Sequence, residues 1–160
     1  MKKDDQNYQF DTKAIHSGQE PDPTTGAVIG PIYATSTYAQ ESPGVFKGYD
    51  YSRTSNPTRK SLENCLADLE SGGAGFAFAS GMAATATILE MLDSGDHVIS
   101  MDDVYGGTYR LFENVRKRSA GIEFSLANLS DPESLKANLK ENTKMIWVES
   151  PSNPLLKIVD

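Results

Sequence analysis

Residues that can hold an anion or move a proton recur along this 160-residue chain. Ser80-Gly81-Met82 interrupts an apolar run, Phe76 to Ala79, and opens a second one, Ala83 to Leu89. The first run reads as a buried strand and the second as a helix. A strand that turns through Ser-Gly into a helix leaves backbone N–H groups free at the helix start. Those groups and the positive end of the helix dipole attract a phosphate. Gly81 has no Cβ to hold an anion away. On these residues alone the junction is either a phosphate site or a tight connection without a ligand. It is neither of two common phosphate loops: there is no G-x-x-x-x-G-K-S/T, and Gly73 and Gly75 precede Phe76 rather than follow it.

Other residues extend the chemistry. Tyr105 stands in Val104-Tyr105-Gly106-Gly107. Its ring can stack on a flat heterocycle, its hydroxyl can move a proton, or it can simply pack over the loop. Arg110 lies at the start of a predicted helix, Gly107 to Arg118, where a cation opposes the dipole; it either meets an anion or stands in solvent. Tyr51-Ser52-Arg53 sets a hydroxyl beside a guanidinium, which suits a phosphate or carboxylate clamp and equally an ordinary charged surface. Asn153 lies in Glu149-Ser150-Pro151-Ser152-Asn153-Pro154, where two prolines restrict the backbone and an amide can both donate and accept.

The elements that would position these residues alternate. Leu62, Cys65, Leu66 and Leu69 repeat at helical spacing after Pro57 and stop at Gly72-Gly73, so Cys65 reads as a buried apolar residue and not a nucleophile. Strands are predicted at Gly75 to Ala79, His97 to Met101, Ile122 to Leu126 and Met145 to Glu149. Helices between them are predicted at Met82 to Leu92, at Gly107 to Arg118, and after Asp131-Pro132. This alternation is the pattern of a parallel sheet with helices packed on it. Ligands of such sheets sit beyond the carboxyl ends of the strands, where Ser80-Gly81, Asp102 to Tyr105 and Ser150 to Pro154 all fall. His97, at a strand start, reads as structural. The residues before Tyr51 are broken by Pro21, Pro23, Gly26, Gly30 and Pro31. Apart from a short helix around Thr12 to His16 and an extended run from Ile32 to Tyr38, they read as an arm that must lie on something else.

Bulk properties exclude several partners. A formal net charge of −7 argues against nucleic acid and anionic membranes. The nearest basic cluster, Arg116-Lys117-Arg118, ends a predicted helix, where positive charge suits the dipole. No apolar stretch spans a bilayer, and the polar start of the chain is not a signal peptide. One cysteine and two separated histidines, His16 and His97, suggest neither a disulfide nor a zinc site, and the cytoplasm is the expected compartment.

Taken in order, Tyr51-Ser52-Arg53, Asn56-Pro57-Thr58, Ser80 to Ala84, Asp103 to Thr108 and Glu149 to Pro154 resemble the pyridoxal-phosphate enzymes of Cys/Met metabolism. That group includes cystathionine γ-lyase, γ-synthase and β-lyase and methionine γ-lyase, and the resemblance runs from Thr12 onward. It implies an α/β fold, the fold type I large domain of pyridoxal-phosphate-dependent transferases, with helices on both faces of a mostly parallel sheet. Residues 1–55 would be an N-terminal arm and intersubunit loop, and 56–160 the N-terminal part of the cofactor-binding domain. The implied cofactor is pyridoxal 5'-phosphate, its phosphate on the N–H groups of Gly81 and Met82. Tyr105 would stack on the pyridine ring and assist proton transfer. Tyr51 and Arg53 would reach the phosphate of the neighbouring subunit, Asn153 the cofactor's O3' and the substrate carboxylate, and Arg110 the substrate's distal end. A homodimer with a shared site, assembling into a homotetramer, and a small amino-acid substrate follow from the same resemblance.

Within the group, Gly107 stands where methionine γ-lyases carry Cys, and the run Tyr105 to Arg110 looks like the γ-lyases and γ-synthases. The implied reaction is cleavage of cystathionine to cysteine, 2-oxobutanoate and ammonia. The alternatives are γ-replacement on an activated homoserine and β-cleavage. The family's cofactor-bearing lysine, the aspartate on the pyridine nitrogen and the arginine for the α-carboxylate fall beyond Asp160, and neither Lys144 nor Lys157 sits in the lysine motif. The chain therefore resembles the N-terminal part of such an enzyme, and residues 1–160 alone are expected to be inactive, a non-catalytic fragment. An unrelated nucleotide-binding domain is disfavoured by the missing glycine fingerprint.

Overall fold

The structure, a computed structural model, describes residues 8–160; the polar N-terminal stretch read above lies outside them. These residues form two compact units, one ending at Ala77 and one running from Phe78 to Asp160.

In the first unit a short helix α1 (Phe10–His16) matches the predicted turn of helix. A hairpin follows, β1 (Gln40–Ser42) with β2 (Val45–Phe46), turning at Gly44. The predicted extended run makes a single antiparallel bridge, Thr37 to Tyr51. Helix α2 (Pro57–Leu69) opens behind Asn56, whose Oδ1 accepts the N–H groups of Thr58 at 2.9 Å and Arg59 at 3.4 Å. The turn after α1 presses Gly18 on α2; a Cβ there would overlap the Ser61 carbonyl and stand 2.9 Å from the Cys65 nitrogen. The α2 stripe is not a buried face among the described residues. Leu62 and Leu66 are half exposed and Cys65 is only partly covered. Spacing specifies a helix and its apolar side; it does not specify what covers that side.

The second unit holds helix α3 (Gly81–Leu89), strand β3 (His97–Met101), helix α4 (Gly106–Arg110), strand β4 (Glu123–Ala127) and strand β5 (Thr143–Trp147). Helix α4 runs on without a break through a π-helical stretch, Leu111–Arg116, into α5 (Lys117–Ser119). Helix α6 (Pro132–Asn138) lies between β4 and β5, its first turn capped by Asp131, which accepts the Glu133 N–H at 3.0 Å. The three strands are parallel in the order β4-β3-β5, as expected of an α/β alternation. Central β3 is buried throughout, and Ile99, Met101, Val104, Ala127 and Leu129 form the core. Phe112, from the π-helical stretch, stacks on Phe124 at 4.6 Å and meets Trp147 edge-on at 5.6 Å. Two of the three residues of the basic cluster are ion-paired, Arg116 to Glu90 and Lys117 to Glu113.

One predicted strand is absent. Gly75 to Ala79 joins no ladder, and Phe76 is 79% exposed instead of buried. A strand exists through its pairing, and this extended segment finds no backbone partner among the described residues. Its Ala77 N–H bonds instead to the Glu63 carboxylate at 3.1 Å. Helix α3 also ends at Leu89, short of the expected Leu92.

His97 is structural, as expected, and the structure shows how. The ring is fully buried, with Nδ1 2.8 Å from Thr143 Oγ1 on β5 and Nε2 2.9 Å from Ser125 Oγ on β4, so one side chain ties β3 to both neighbours. Burial holds its pKa below the ordinary histidine value; Lys140 pushes the same way and Glu123, paired with Lys140 at 3.0 Å, opposes. The unfolded chain takes up a proton that the folded one resists. Stability present above the unfolded value of 6.5 is therefore lost as pH falls below it. Glu123, held low by Lys140, gives up its contribution only below the usual carboxylate range. The thermal midpoint is expected to fall between pH 7 and pH 5.5 (the window of about one unit around an ordinary histidine) more steeply in the wild type than in His97→Val. The variant should be less stable at pH 7 by about 1–3 kcal/mol, since two hydroxyls lose their partner. Parallel pH curves for the two proteins would contradict this account.

Candidate active site

Helix α3 starts as its sequence requires. Ser80 is its cap and accepts the Ala83 N–H on Oγ at 3.1 Å. The N–H groups of Gly81 and Met82 have no acceptor among the described residues. A Cβ built on Gly81 meets nothing within 4 Å among the described residues, so the ground beside these donors is open there. Two free donors, a helix dipole and open space fit a phosphate group.

Met82 and Tyr105 meet over Gly107. A Cβ on Gly107 would overlap the Tyr105 ring and stand 3.0 Å from Met82 Sδ, so a larger residue there must displace the tyrosine. The Tyr105 ring is 47% exposed and flanks the start of α3. It can therefore lie against a flat ring whose phosphate sits on Gly81 and Met82.

The loop after β3 and the loop after β5 are stitched together by carboxylates. Glu149 accepts the Tyr105 N–H at 2.7 Å on one oxygen, and on the other the Thr108 hydroxyl at 2.7 Å and the Trp147 indole N–H at 3.2 Å. In the opposite direction, buried Asp103 accepts the Ser152 hydroxyl and, at 3.0 Å, the Leu155 N–H. Ser152 Oγ in turn accepts the Lys157 N–H at 2.8 Å, and the Lys157 ammonium pairs with Asp102 at 2.9 Å. Asn153 sits between Ser152 and Leu155, exposed, its segment fixed on either side by Asp103. Arg110 folds back along α4, its Nη1 3.3 Å from where a Cβ on Gly106 would stand. It is exposed and has no ion pair among the described residues, which leaves its charge available to an anion.

Gly81, Met82, Tyr105, Arg110 and Asn153 thus belong to the second unit. Tyr51 and Arg53 belong to the first. There the Arg53 guanidinium lies 5.1 Å from the centre of the Tyr51 ring, a cation–π contact. Arg59 fixes their loop from below, donating to the carbonyls of Ser52 at 3.1 Å and Thr54 at 2.8 Å. An open cleft of about 620 Å³ in the same unit is lined by Asp22, Tyr33, Lys60 and Asn64 among others and by neither Tyr51 nor Arg53. The sequence reading assigned no role to Glu149 or Asp103. A signal was present for Glu149: the helix from Gly106 starts without a Ser, Thr, Asp or Asn cap of its own, so its first N–H groups need an acceptor from elsewhere.

The sequence model of the family described as "Cys/Met metabolism PLP-dependent enzyme" matches residues 11–160. A cystathionine beta-lyase of Coxiella burnetii is 68% identical over 94% of the chain and 39% of its own length. A probable cystathionine gamma-synthase of Herpetosiphon aurantiacus is 55% identical over 95% of the chain and 47% of its own length. The crystal structure of a cystathionine gamma-lyase from Lactobacillus plantarum, complexed with L-serine, superposes with a TM-score of 0.90 at 46% identity, covering 95% of the chain and 39% of that protein. The chain spans under half the length of each of these relatives. The match to the family runs over nearly the whole chain, and the chain belongs to the pyridoxal-phosphate-dependent enzymes of cysteine and methionine metabolism.

Proposed function

We propose that the protein carrying this chain is a cytoplasmic, pyridoxal-phosphate-dependent enzyme that breaks the carbon–sulfur bond of cystathionine. The observation that carries the reading is the pair of free N–H groups at Gly81 and Met82 beside the Tyr105 ring, in a chain of this family. When bound, the cofactor supplies an electron sink for negative charge that develops on substrate carbon. Gly81 and Met82 bind its phosphate. Tyr105 would stack on its ring and assist proton transfer with its hydroxyl, Asn153 would hold the ring oxygen and the substrate carboxylate, and Arg110 would meet the substrate's distal end. Residues 1–55 serve as arm and intersubunit loop, 56–160 as the start of the cofactor-binding domain. Tyr51 and Arg53 complete the phosphate site of a neighbouring subunit in a homodimer, two of which form a tetramer.

The Tyr105 to Arg110 run resembles the γ-lyases and γ-synthases alike; the first reading is γ-cleavage, which adds water to cystathionine and releases cysteine, 2-oxobutanoate and ammonia, with γ-replacement on an activated homoserine as its alternative. A second reading, β-cleavage to homocysteine, pyruvate and ammonia, is favoured by the 68% identity to a protein named cystathionine beta-lyase. Incubating the full-length gene product with cystathionine and identifying the 2-oxo acid separates them. The 2-oxobutanoate is expected; pyruvate alone would replace the first reading with the second, and no 2-oxo acid from either would defeat both. Residues 1–160 expressed alone are expected to release neither.

Gly81→Val in the full-length protein should weaken pyridoxal-phosphate binding about tenfold or more, roughly 1.4 kcal/mol, by filling the phosphate's ground. Because that Cβ meets nothing within 4 Å among the described residues, the cofactor-free midpoint should move far less than the cofactor affinity. Unchanged affinity in an absorbance titration would remove the phosphate from this helix. For the shared site, Arg53→Ala and Tyr105→Ala subunits are each expected to be weak alone and to recover activity when mixed. No recovery in hybrids whose formation is confirmed would place each site within one subunit.

A further inference from the structure

Glu149 has no part in the chemistry proposed above, yet its carboxylate occupies a particular position. It leaves the end of β5 and meets the first turn of α4, where Tyr105 N–H bonds to Oε2, and Thr108 Oγ1 and Trp147 Nε1 bond to Oε1. Helices α2, α3 and α6 are capped by their own Asn56, Ser80 and Asp131. No side chain of its own caps α4; Tyr105 holds the cap position without a side-chain bond. The negative charge stands at the positive end of the helix and makes charge-assisted bonds there. Both of its oxygens accept, which a carboxamide, with one acceptor and one donor, cannot reproduce.

We propose that Glu149 is a positioning residue: it pins the backbone of Tyr105, and through it the ring that flanks the Gly81–Met82 donors. The assignment rests on the reading that Tyr105 lies against the cofactor ring. Gly107 leaves no slack on the other side, since the ring already fills the space a Cβ would need. Releasing the N–H tether lets the ring leave its place without disturbing the buried β3 core.

The test uses the full-length protein and its Glu149→Gln, Thr108→Val and Tyr105→Ala variants. In the cofactor-free protein, amide exchange of the peptide covering Tyr105 to Thr108 should quicken at least tenfold in Glu149→Gln and by a smaller factor in Thr108→Val, while β3 exchange stays unchanged. In the loaded enzyme, Glu149→Gln should lower kcat tenfold or more when Tyr105 is present and have no further effect in the Tyr105→Ala background. Unchanged exchange at Tyr105, or independent losses that multiply in the double variant, would overturn the assignment. If Glu149→Gln does not fold, Thr108→Val decides: faster exchange at Tyr105 supports the tether and unchanged exchange refutes it. A wild type that binds no pyridoxal phosphate defeats the cofactor reading, while the exchange result still decides the tether.

Discussion

The rim of this α/β unit depends on carboxylates that cross between two loops. Parallel strands β3 and β5 end side by side, and a loop leaving a strand has no ladder to fix it. Glu149 from the second loop holds the backbone of Tyr105 in the first, and Asp103 from the first holds both flanks of Asn153 in the second. Each loop is thus a template for the other. Two exposed side chains that could bind a ligand, Tyr105 and Asn153, stand on backbone that is itself held by charged hydrogen bonds. Such bonds are worth roughly twice neutral ones, so the backbone of both loops is held while these two side chains stay exposed.

The start of α3 complements that rim. Ser80 satisfies one donor of the helix and leaves those of Gly81 and Met82 to a ligand. Met82 turns its sulfur toward Gly107, beside the Tyr105 ring, so the proposed phosphate donors and the aromatic ring are linked through one side chain. At the other end of the sheet His97, the first residue of β3, bonds to Thr143 and Ser125 and ties the central strand to both neighbours.

What was legible in the sequence was local. Pro57, the Ser80-Gly81 junction and Asp131-Pro132 each mark a real helix start, and the caps the structure shows there, Asn56, Ser80 and Asp131, lie within three residues of the N–H groups they serve. The apolar run His97 to Met101 is the buried central strand, with the same bounds. What was not legible depends on distant pairing. The apolar run at Phe76 resembles a strand, but a strand requires a neighbour, and none is found among the described residues. The stripe on α2 gives the helix and not its cover, as the half-exposed Leu62 shows. The tether from Glu149 to Tyr105 spans 44 positions, and only the uncapped start of α4 hints that an acceptor must come from elsewhere. The cofactor's identity came from five ordered motifs acting together; each alone supports only an anion or a flat ring.

The central claim is that a phosphate rests on the start of α3, with the ring it carries against Tyr105. A crystal structure of the full-length protein with pyridoxal phosphate tests it most directly. The account predicts phosphate oxygens within about 2.7–3.2 Å of the Gly81 and Met82 nitrogens and the pyridine ring lying on Tyr105. A phosphate bound away from that helix start, with both N–H groups left to water, would contradict it.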